Sequence, residues 1–405
     1  MNIAIITSGF LPIPATKGGA VENLIQNLLN ENEKQNKFST TIFTIYDFKA
    51  EEISKQYTNS KFRFIKVNKI VTLIDKMIFF IAKNIIKKEN SHSYKYIFQR
   101  ICFLRKVSKI LKKEDFDKIL LENHPTQYLA LKWNKNNEKY ANRYYYHCHN
   151  EFPGTYGCES IIRDTKKIIC VSEYIASTLQ KSLNMPKEKF TVLRNGIDIK
   201  RFDKELSLEE KNKLRKKYNI QKEDKILLFT GRIIPEKGVK ELIEALEYVH
   251  SSNYKLLILG AALNNIETQT NYELKLKEQI EKVKNKVIFT GFVNYEEIYR
   301  YYKLADIAVL PSIWDDPAPL TIIESLICGL PIITTNSGGI PEYAINGSSI
   351  ILQRDDELVK NLGNAINELI QNDSKRKEMS NIARDISKEL TSEIYYKNFI
   401  INIKD

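Results

Sequence analysis

The sequence predicts an α/β fold made of two domains, each a doubly wound parallel sheet. Short apolar runs alternate along the chain with helical patterns, which is typical of parallel sheets covered on both faces. A chain of 405 residues with 43% hydrophobic residues can also bury two ordinary cores. A charged stretch without a strand pattern separates the two series of strands. We therefore predict a first domain at 1–200, a linker at 201–222, a second domain at 223–388 and a tail helix at 389–405.

The first series opens with an apolar strand at 2–8 and a helix at 20–29 that begins after Gly18 and Gly19. Its remaining strands are predicted at 40–45, 62–67, 118–122, 143–148, 167–171 and 190–194. The second series is predicted to have strands at 225–230, 254–259, 286–290, 307–310, 331–334 and 349–352. These runs are short and rich in apolar residues, as expected for strands buried in a parallel sheet.

Residues 61–113 carry the positive charge of the chain. They hold fifteen Lys or Arg against two acidic residues, which accounts for the whole formal net charge of +12. Between 69 and 113 the apolar residues recur at the spacing of two amphipathic helices. In the first helix these residues are Ile70, Leu73, Ile74, Met77, Ile78, Ile81 and Ile85, with Lys76, Lys83 and Lys87 elsewhere on the wheel. The pair either packs on the core with solvated basic faces or binds an anionic membrane surface, and we favour the membrane.

Composition also narrows the classes of function. The five cysteines show no paired CxxC spacing, so we expect free thiols and no metal site. No run of eighteen apolar residues is present and the first residues carry no basic leader, so we expect a cytoplasmic protein, peripheral at the inner face of the cell membrane. No nucleic-acid-binding module accompanies the basic segment, so nucleic acid is not an expected partner.

Residues 310–342 hold the most informative motif of the chain. A buried strand ends at Leu310, and the Asp-Asp-Pro-Ala-Pro sequence after it is a turn, because its two prolines fix φ and remove donors. A helix is expected from Leu320 onwards, directly after Pro319. The unpaired amides of its first turn favour an anion such as a diphosphate.

A second motif follows the strand at 225–230. Gly231 and Arg232 form the turn after this strand, and Lys237 follows in a Pro-Glu-Lys-Gly sequence. The carboxyl ends of the strands are where ligands bind in open parallel sheets. Two cations at this position therefore suit an anionic ligand better than they suit a merely solvated surface.

The first domain offers weaker signals. Gly18 and Gly19 precede a helix, where glycine lets the backbone approach a phosphate or a sugar. A later strand ends in His147, Cys148, His149 and Asn150, and strand alternation points both histidines to the same face. His147 suits a structural role as well as a functional one, whereas His149 favours function. Asn195 follows the last strand of the domain in the sequence Arg-Asn-Gly-Ile-Asp.

These motifs resemble the retaining nucleotide-sugar glycosyltransferases of the GT-B fold, specifically glycosyltransferase family four (glycosyl transferases group 1). That family carries two glutamates separated by seven residues. Asp316 and Glu324 stand at those two positions, so the first is a departure. The resemblance implies that Glu324 accepts hydrogen bonds from the ribose and that Asp316 faces the transferred sugar. Arg232 and Lys237 match the family's cation pair, which stabilises the diphosphate where other enzymes use a metal.

The resemblance also assigns the other candidate site residues. It places His149 beside the donor sugar as a catalytic residue, together with the acidic pair and the cation pair. It implies donor-binding roles for Gly18, Gly19, Asn195, Gly231, Pro319, Leu320 and Thr321. The two domains would face each other across a cleft, and the tail helix would cross back to the first domain. The implied reaction retains the anomeric configuration, needs no metal or other cofactor, and uses a UDP-sugar rather than a GDP-sugar.

Three functions remain open from the sequence. The first is a hexosyltransferase that extends a lipid-linked or surface glycan, such as a capsule or lipopolysaccharide, at a membrane reached through 69–113. The second is a soluble transferase of the same fold that acts on a small or polymeric acceptor, in which case the basic helices bind an acidic substrate. The third is a catalytically weak scaffold that binds sugar nucleotides, suggested by Asp316 where glutamate is expected.

Overall fold

The computed structural model of the protein describes residues 1–81, 86, 95–260, 271–345 and 347–404, without the side chains of 271, 273–275 and 277. The chain divides into two units, Met1–Arg194 with Tyr395–Asp405, and Asn195–Ile394. The first division falls after Arg194, whereas the sequence places it in a linker at 201–222. Those linker residues supply helical turns of the second unit.

The first unit contains a seven-stranded parallel sheet with the order β3-β2-β1-β4-β5-β6-β7. Its strands are β1 Asn2–Ile6, β2 Ser39–Ile45, β3 Ser60–Ile65, β4 Lys118–Glu122, β5 Tyr144–Cys148, β6 Lys167–Cys170 and β7 Phe190–Val192. Its helices are α1 Ala20–Gln35, α2 Phe48–Ser54, α3 Lys69–Phe80, α4 Ile97–Lys113, α5 Tyr128–Lys132, α6 Asn136–Lys139, α7 Glu159–Arg163 and α8 Glu173–Leu183.

The second unit contains a six-stranded parallel sheet with the order β10-β9-β8-β11-β12-β13. Its strands are β8 Lys225–Thr230, β9 Tyr254–Leu259, β10 Val287–Gly291, β11 Ile307–Leu310, β12 Ile332–Thr335 and β13 Ser349–Leu352. Its helices are α9 Ile199–Phe202, α10 Leu208–Lys217, α11 Val239–Ala245, α12 Asn271–Val283, α13 Tyr299–Leu304, α14 Leu320–Ile327, α15 Ile340–Tyr343, α16 Leu358–Gln371 and α17 Asp373–Ser387. Two parallel-sheet units confirm the predicted fold class, and every predicted strand is present.

The tail of the chain forms α18, Ser392–Lys404, and most of this helix belongs to the first unit. Tyr396 and Phe399 are fully buried there in a core shared with Ile25 and Leu28 of α1. The Tyr396 hydroxyl donates a hydrogen bond of 2.7 Å to the side chain of Asn32. The predicted return of the tail helix to the first domain is therefore confirmed.

The basic segment forms two helices with different surroundings. α4 buries Phe103, Leu104, Val107 and Leu111 and turns its lysines to solvent, as the core-packing interpretation expects. α3 instead exposes more than half of each of four apolar side chains, Ile70, Leu73, Met77 and Phe80. Part of the predicted first helix, including Lys83, Ile85 and Lys87, lies outside the described residues.

α3 is held in place by its one buried residue, Asp75. The Asp75 carboxylate accepts hydrogen bonds from the backbone N–H groups of Phe98 at 2.9 Å and Gln99 at 2.8 Å. These are first-turn amides of α4, which have no partner within their own helix. An acid thus docks α3 onto the core, and the apolar stripe of the helix stays uncovered.

The five cysteines are free thiols, as expected from their spacing. None of the helices in the described part of the chain combines the length and the apolar composition needed to cross a bilayer.

Candidate active site

The predicted site residues fall into two groups, one in each unit. In the second unit, a small pocket of about 40 Å³ lies at the carboxyl ends of β8 and β11. It is lined by Phe229, Thr230, Gly231, Lys237, Leu310, Ser312, Asp316, Pro319, Thr321, Ile322 and Ile340. Five predicted residues therefore meet here: Gly231, Lys237, Asp316, Pro319 and Thr321. We call this space the donor pocket.

Backbone contacts hold the two loops of the donor pocket together. The carbonyl oxygen of Glu236 accepts hydrogen bonds from the Ile313 N–H at 3.0 Å and the Ser312 hydroxyl at 3.1 Å. Gly238 follows with φ near +69°, and a Cβ at this position would overlap the carbonyl oxygen of Pro311. Only glycine allows this approach, so the Pro-Glu-Lys-Gly turn and the loop after β11 form one structure.

The diglycine at 338–339 fixes the acidic turn from the other side. The Gly339 N–H donates to the Asp316 carbonyl at 2.8 Å, and the Gly338 N–H donates to the Asp315 side chain at 3.1 Å. A side chain on Gly338 would collide with this turn. The orientation of Asp316 is therefore set by backbone bonds, independently of the length of its side chain.

Lys237 and Asp316 form an ion pair across the donor pocket. The sequence expects Lys237 on the diphosphate and Asp316 on the sugar, and the structure shows each neutralising the other. Both side chains are largely buried. An incoming anion would have to take over the ammonium group from Asp316, which would free the carboxylate to accept hydrogen bonds from hydroxyl groups.

Glu324 lies on α14 and is not among the residues that line the donor pocket. Its carboxylate is buried and accepts hydrogen bonds from the hydroxyls of Tyr295 at 3.0 Å and Tyr302 at 2.6 Å. Burial raises its pKa to about 7, although the two tyrosine hydroxyls act to lower it. In the structure the tyrosines thus occupy the acceptor positions that the sequence assigns to ribose hydroxyls. Sequence reasoning missed both tyrosines.

Two other predicted residues also stand outside the lining of the donor pocket. Arg232 is exposed, and its side chain makes no hydrogen bond or ion pair with the described residues. Its guanidinium is therefore free to meet an anion. Leu320 is the first residue of α14 and is half-buried, so only its backbone amide can serve a ligand at the helix start.

Asn195 begins the second unit and supports the turn before α14. Its backbone N–H donates to the Tyr343 hydroxyl at 3.0 Å, and its side-chain amide donates to the Ala318 carbonyl at 3.3 Å. The side-chain oxygen is buried and receives no hydrogen bond from the described residues. Such an atom is costly to leave unpaired, so it marks a place where a ligand donor would be stabilising.

In the first unit, Gly18 and Gly19 precede α1 with φ near +72° and +105°. The carboxylate of Glu22 lies so close to Gly19 that a Cβ there would collide with it. Burial, with a contribution from the charge of Glu122, raises the pKa of Glu22 to about 7. Sequence reasoning missed Glu22, although an acid in the first turn of α1, directly after the diglycine, was a signal that could have revealed it.

His149 belongs to a buried cluster with His147 and Glu122. The Glu122 carboxylate lies 3.2 Å from Nδ1 of His147 and 3.2 Å from Nε2 of His149. Burial alone would raise the pKa of Glu122, but the positive charge of His147 and hydrogen bonds from both rings lower it to about 2. Burial, followed by the charge of His147, lowers the pKa of His149 to about 4. A neutral His149 donates through Nε2 and keeps Nδ1 as an acceptor.

The same three side chains could hold a metal ion. Within the described part of the chain they form the one cluster of at least three His, Cys, Asp or Glu whose ligand atoms lie within 4.8 Å of one another. Two histidines and a glutamate are also a known zinc ligand set. The N–O separations suit hydrogen bonds equally well, so the absence of a metal stays a prediction from the sequence.

Two family models match the chain. Residues 210–386 match glycosyl transferases group 1, and residues 80–201 match Glycosyltransferase Family 4. The first match contains the donor pocket, and the second contains the cluster of Glu122, His147 and His149. Between them the two matches cover most of the chain.

Individual proteins show the same similarity. An uncharacterized glycosyltransferase of Methanocaldococcus jannaschii is 32% identical over 209 residues, which are 47% of this chain and 52% of that protein. The match thus spans about half of that relative. The lipopolysaccharide 1,2-N-acetylglucosaminetransferase of Salmonella typhimurium is 23% identical over 252 residues, 62% of this chain and 61% of that enzyme.

A solved structure shows the likeness of the whole fold. The crystal structure of Anabaena HepE in complex with UDP superposes with a TM-score of 0.74 at 17% identity, covering 100% of both chains. Two family matches and a shared two-unit architecture, with the predicted turns assembled around the donor pocket, show that this chain belongs to the GT-B glycosyltransferases of family four.

Proposed function

We propose that the protein is a retaining, metal-independent glycosyltransferase that moves a hexose-type sugar from a nucleotide-sugar donor to a lipid-linked or surface-polysaccharide acceptor. The observation that carries this proposal is the donor pocket, where Lys237, Asp316 and the start of α14 meet at the carboxyl ends of β8 and β11. This is the edge at which open parallel sheets bind ligands.

The donor pocket suits a sugar diphosphate. Lys237 and the first-turn amides of α14 offer positive charge and hydrogen-bond donors to the phosphates, and the free guanidinium of Arg232 adds two more donors. Asp316, released from Lys237, then accepts hydrogen bonds from sugar hydroxyls. HepE, which shares the fold, holds UDP in its crystal structure, and this supports a UDP-sugar over a GDP-sugar.

The proposed reaction places the developing negative charge on the leaving diphosphate. Arg232 and Lys237 stabilise this charge without a metal, and a phosphate oxygen takes the proton of the acceptor hydroxyl on the same face of the sugar. That geometry retains the anomeric configuration. In the first unit, neutral His149 would accept a hydrogen bond from a substrate hydroxyl through Nδ1.

The exposed apolar stripe of α3, with the lysines beside it, supports an acceptor at a membrane surface. Lys69 and Lys76 on the same helix are exposed, as are five cations on the outer face of α4, Arg105, Lys106, Lys109, Lys112 and Lys113. Apolar side chains flanked by cations suit anionic headgroups. The Salmonella relative is named for transfer to lipopolysaccharide, an acceptor of this kind. The protein would then act as a peripheral protein at the inner face of the membrane.

The test is calorimetric titration of the full chain with UDP and with GDP, each in excess EDTA. Lys237→Ala and Arg232→Ala remove the two cations. Because a charge-assisted hydrogen bond contributes about 1.5–3 kcal/mol, each change should weaken nucleotide binding roughly tenfold or more. Lys240→Ala serves as the matched control, since Lys240 is exposed on α11 and pairs with Glu244.

The titrations separate the alternatives. UDP binding in EDTA that is lost in both site variants and kept in the control supports the proposal. Binding that requires an added divalent ion contradicts the metal-independent mechanism. Tight nucleotide binding without any release of UDP from UDP-glucose, with or without membrane glycolipid extract, favours the scaffold function instead.

A further inference from the structure

A second cavity lies in the second unit, at the edge where β8, β11 and β12 begin. Its volume is about 720 Å³, and it is bounded by these strand starts, α13, the end of α14 and one face of α17. The donor pocket lies where the strands end, so the two spaces are at opposite edges of one sheet. We call this cavity the basal pocket.

The lining of the basal pocket is strongly basic. Among its charged residues, six are cations and three are carboxylates. The cations are Lys211, Lys225, Lys303, Arg376, Lys377 and Arg384, and the carboxylates are Glu205, Asp306 and Asp373. The family signature at 310–342 and the proposed reaction use none of these side chains.

All three carboxylates already have partners. Asp373 pairs with Lys225 at 3.1 Å and with Arg376, and Glu205 pairs with Lys303 at 2.8 Å. Asp306 accepts a hydrogen bond of 2.8 Å from a strand N–H of β8. Three cations, Lys211, Lys377 and Arg384, therefore have no acidic partner within 4 Å among the described residues.

Part of this excess charge lies on one face of α17, where Lys377 and Arg384 are exposed. Lys377, Ser380 and Arg384 stand at helical spacing on one face of α17, so they point the same way. Arg376 is buried and donates to the carbonyls of Leu369 and Ile370, which anchors the start of the helix.

The lowered pKa of Glu205 reflects the positive charge around the basal pocket. Its pKa is lowered, first by the hydrogen bond from Lys303 and then by the charges of Lys303, Lys211 and Arg384. Glu205 therefore lies near three cations. It forms an ion pair with Lys303, whereas Lys211 and Arg384 are farther from its carboxylate than an ion pair requires. An anion with a larger negative charge than a single carboxylate would be attracted more strongly to the same cations.

We propose that the basal pocket binds a small molecule that carries more than one phosphate group, such as a diphosphate. The cavity is larger than a single phosphate needs, and its three unpaired cations match a charge of two or three. Arg384 supplies a planar pair of donors for one phosphate, the lysines supply point charges, and the hydroxyls of Ser374 and Ser380 complete the donor set.

The test is hydrogen–deuterium exchange of the full chain with and without sodium pyrophosphate, read peptide by peptide. We expect protection of α17 and of 303–306, seen separately from protection of 231–240 and 311–321 at the donor pocket. Lys377→Gln with Arg384→Gln should raise the pyrophosphate concentration for half-protection of α17 roughly tenfold or more. In this double variant the donor-pocket peptides should respond to pyrophosphate as in the wild type. Loss of binding at the basal pocket can then be told apart from loss of binding at the donor pocket.

Lys375→Gln is the matched control, because Lys375 lies on the same helix and pairs with Glu368. Absence of α17 protection at millimolar pyrophosphate overturns the proposal, and so does an equal loss in the control. A lipid headgroup can also carry two phosphates, as in cardiolipin, so cardiolipin vesicles form a second arm. If vesicles protect α17 and the double variant loses this protection, the ligand is a lipid headgroup. If pyrophosphate protects α17 and vesicles do not, the ligand is a free compound.

Discussion

Glu122 sets the hydrogen-bonding state of the two histidines in the first unit. Its buried carboxylate faces Nδ1 of His147 and Nε2 of His149, so each ring must donate from that nitrogen. This leaves Nδ1 of His149 as an acceptor, and Nε2 of His147 is buried without a partner in the described part of the chain. A positioning role for Glu122 follows from this geometry, in the way that a buried acid orients a catalytic histidine elsewhere.

Glu122→Gln should change the tautomer of His149 while the protein stays folded. Glutamine accepts through one oxygen only, so it cannot fix both rings. Long-range ¹⁵N–¹H spectra of histidine-labelled protein should show the His149 proton on Nε2 in the wild type and a mixture in the variant. Glu31→Gln, a buried glutamate of α1 with Lys34 as its ion-pair partner, is the control. Unchanged ring signals in Glu122→Gln would show that another group fixes His149.

Glu324 should make the second unit less stable as the pH rises. Its folded pKa is about 7, above the usual value of 4.5, so its favourable contribution is fully present below pH 4.5 and is lost as the pH rises through 7. We expect the unfolding free energy of the wild type, relative to Glu324→Gln, to fall by on the order of 3 kcal/mol between pH 4.5 and 8. Urea denaturation at several pH values measures this difference. A difference that stays flat with pH would mean that the pKa of Glu324 is the same in the folded and unfolded states.

At the scale of the element, α3 shows that an amphipathic pattern does not decide which face is buried. The spacing of Ile70, Leu73 and Met77 predicts a helix with an apolar stripe, and this stripe is exposed. The helix is attached through Asp75, a polar residue in the middle of the segment, because its carboxylate caps α4. The one fully buried side chain of this helix is therefore a capping carboxylate and not an apolar residue.

The α3 stripe should bind anionic vesicles. Leu73→Ser with Met77→Ser removes apolar surface without changing charge, and we expect binding to phosphatidylglycerol vesicles to weaken at least roughly tenfold in a sedimentation assay. Phe48→Ser removes a similarly exposed apolar side chain from α2 and should leave binding unchanged.

The lysines beside the stripe predict a second dependence. Binding should fall when phosphatidylglycerol is replaced by phosphatidylcholine, because each cation near anionic headgroups contributes about 1 kcal/mol. If the wild type and the Leu73→Ser, Met77→Ser double variant bind phosphatidylglycerol vesicles equally, the soluble transferase is favoured, in which the basic helices bind an acidic acceptor.

At the scale of the whole molecule, the two ends of the chain share one core. Phe399 of α18 is fully buried with residues of β1 and α1, so the first unit cannot complete its core before the last helix is made. The chain leaves the first unit after Arg194 and returns to it at Tyr395. The first unit is therefore discontinuous in sequence.

Phe399→Ala should destabilise the first unit by about 3–5 kcal/mol, since it removes a large side chain from a packed core. Chemical denaturation followed by hydrogen–deuterium exchange of α1 peptides measures this loss of stability. Peptides of β8, in the second unit, should show a smaller loss. Ile401→Ala, on the same helix but 63% exposed, is the control and should be nearly neutral. Equal effects at both positions would show that the tail is not part of this core.

Local sequence patterns are enough to predict the two parallel sheets and the turns of the donor pocket. Buried strands and glycine turns are local patterns, and Gly238, Gly338 and the two prolines after Asp316 constrain the backbone wherever they occur. The return of the tail helix followed from the family resemblance, and the structure bears it out.

The contacts between side chains, in contrast, join distant parts of the chain and become visible in the folded protein. Lys237 and Asp316 are 79 residues apart, and Tyr302 reaches Glu324 from a separate helix, so no local pattern encodes either contact. α3 is tied to α4 by the carboxylate of Asp75, a contact that the helical pattern does not reveal. The basal pocket arises because α10, α13 and α17 bring cations from distant segments to one edge of a sheet, and charge at long range is set by the fold, not by neighbours in sequence.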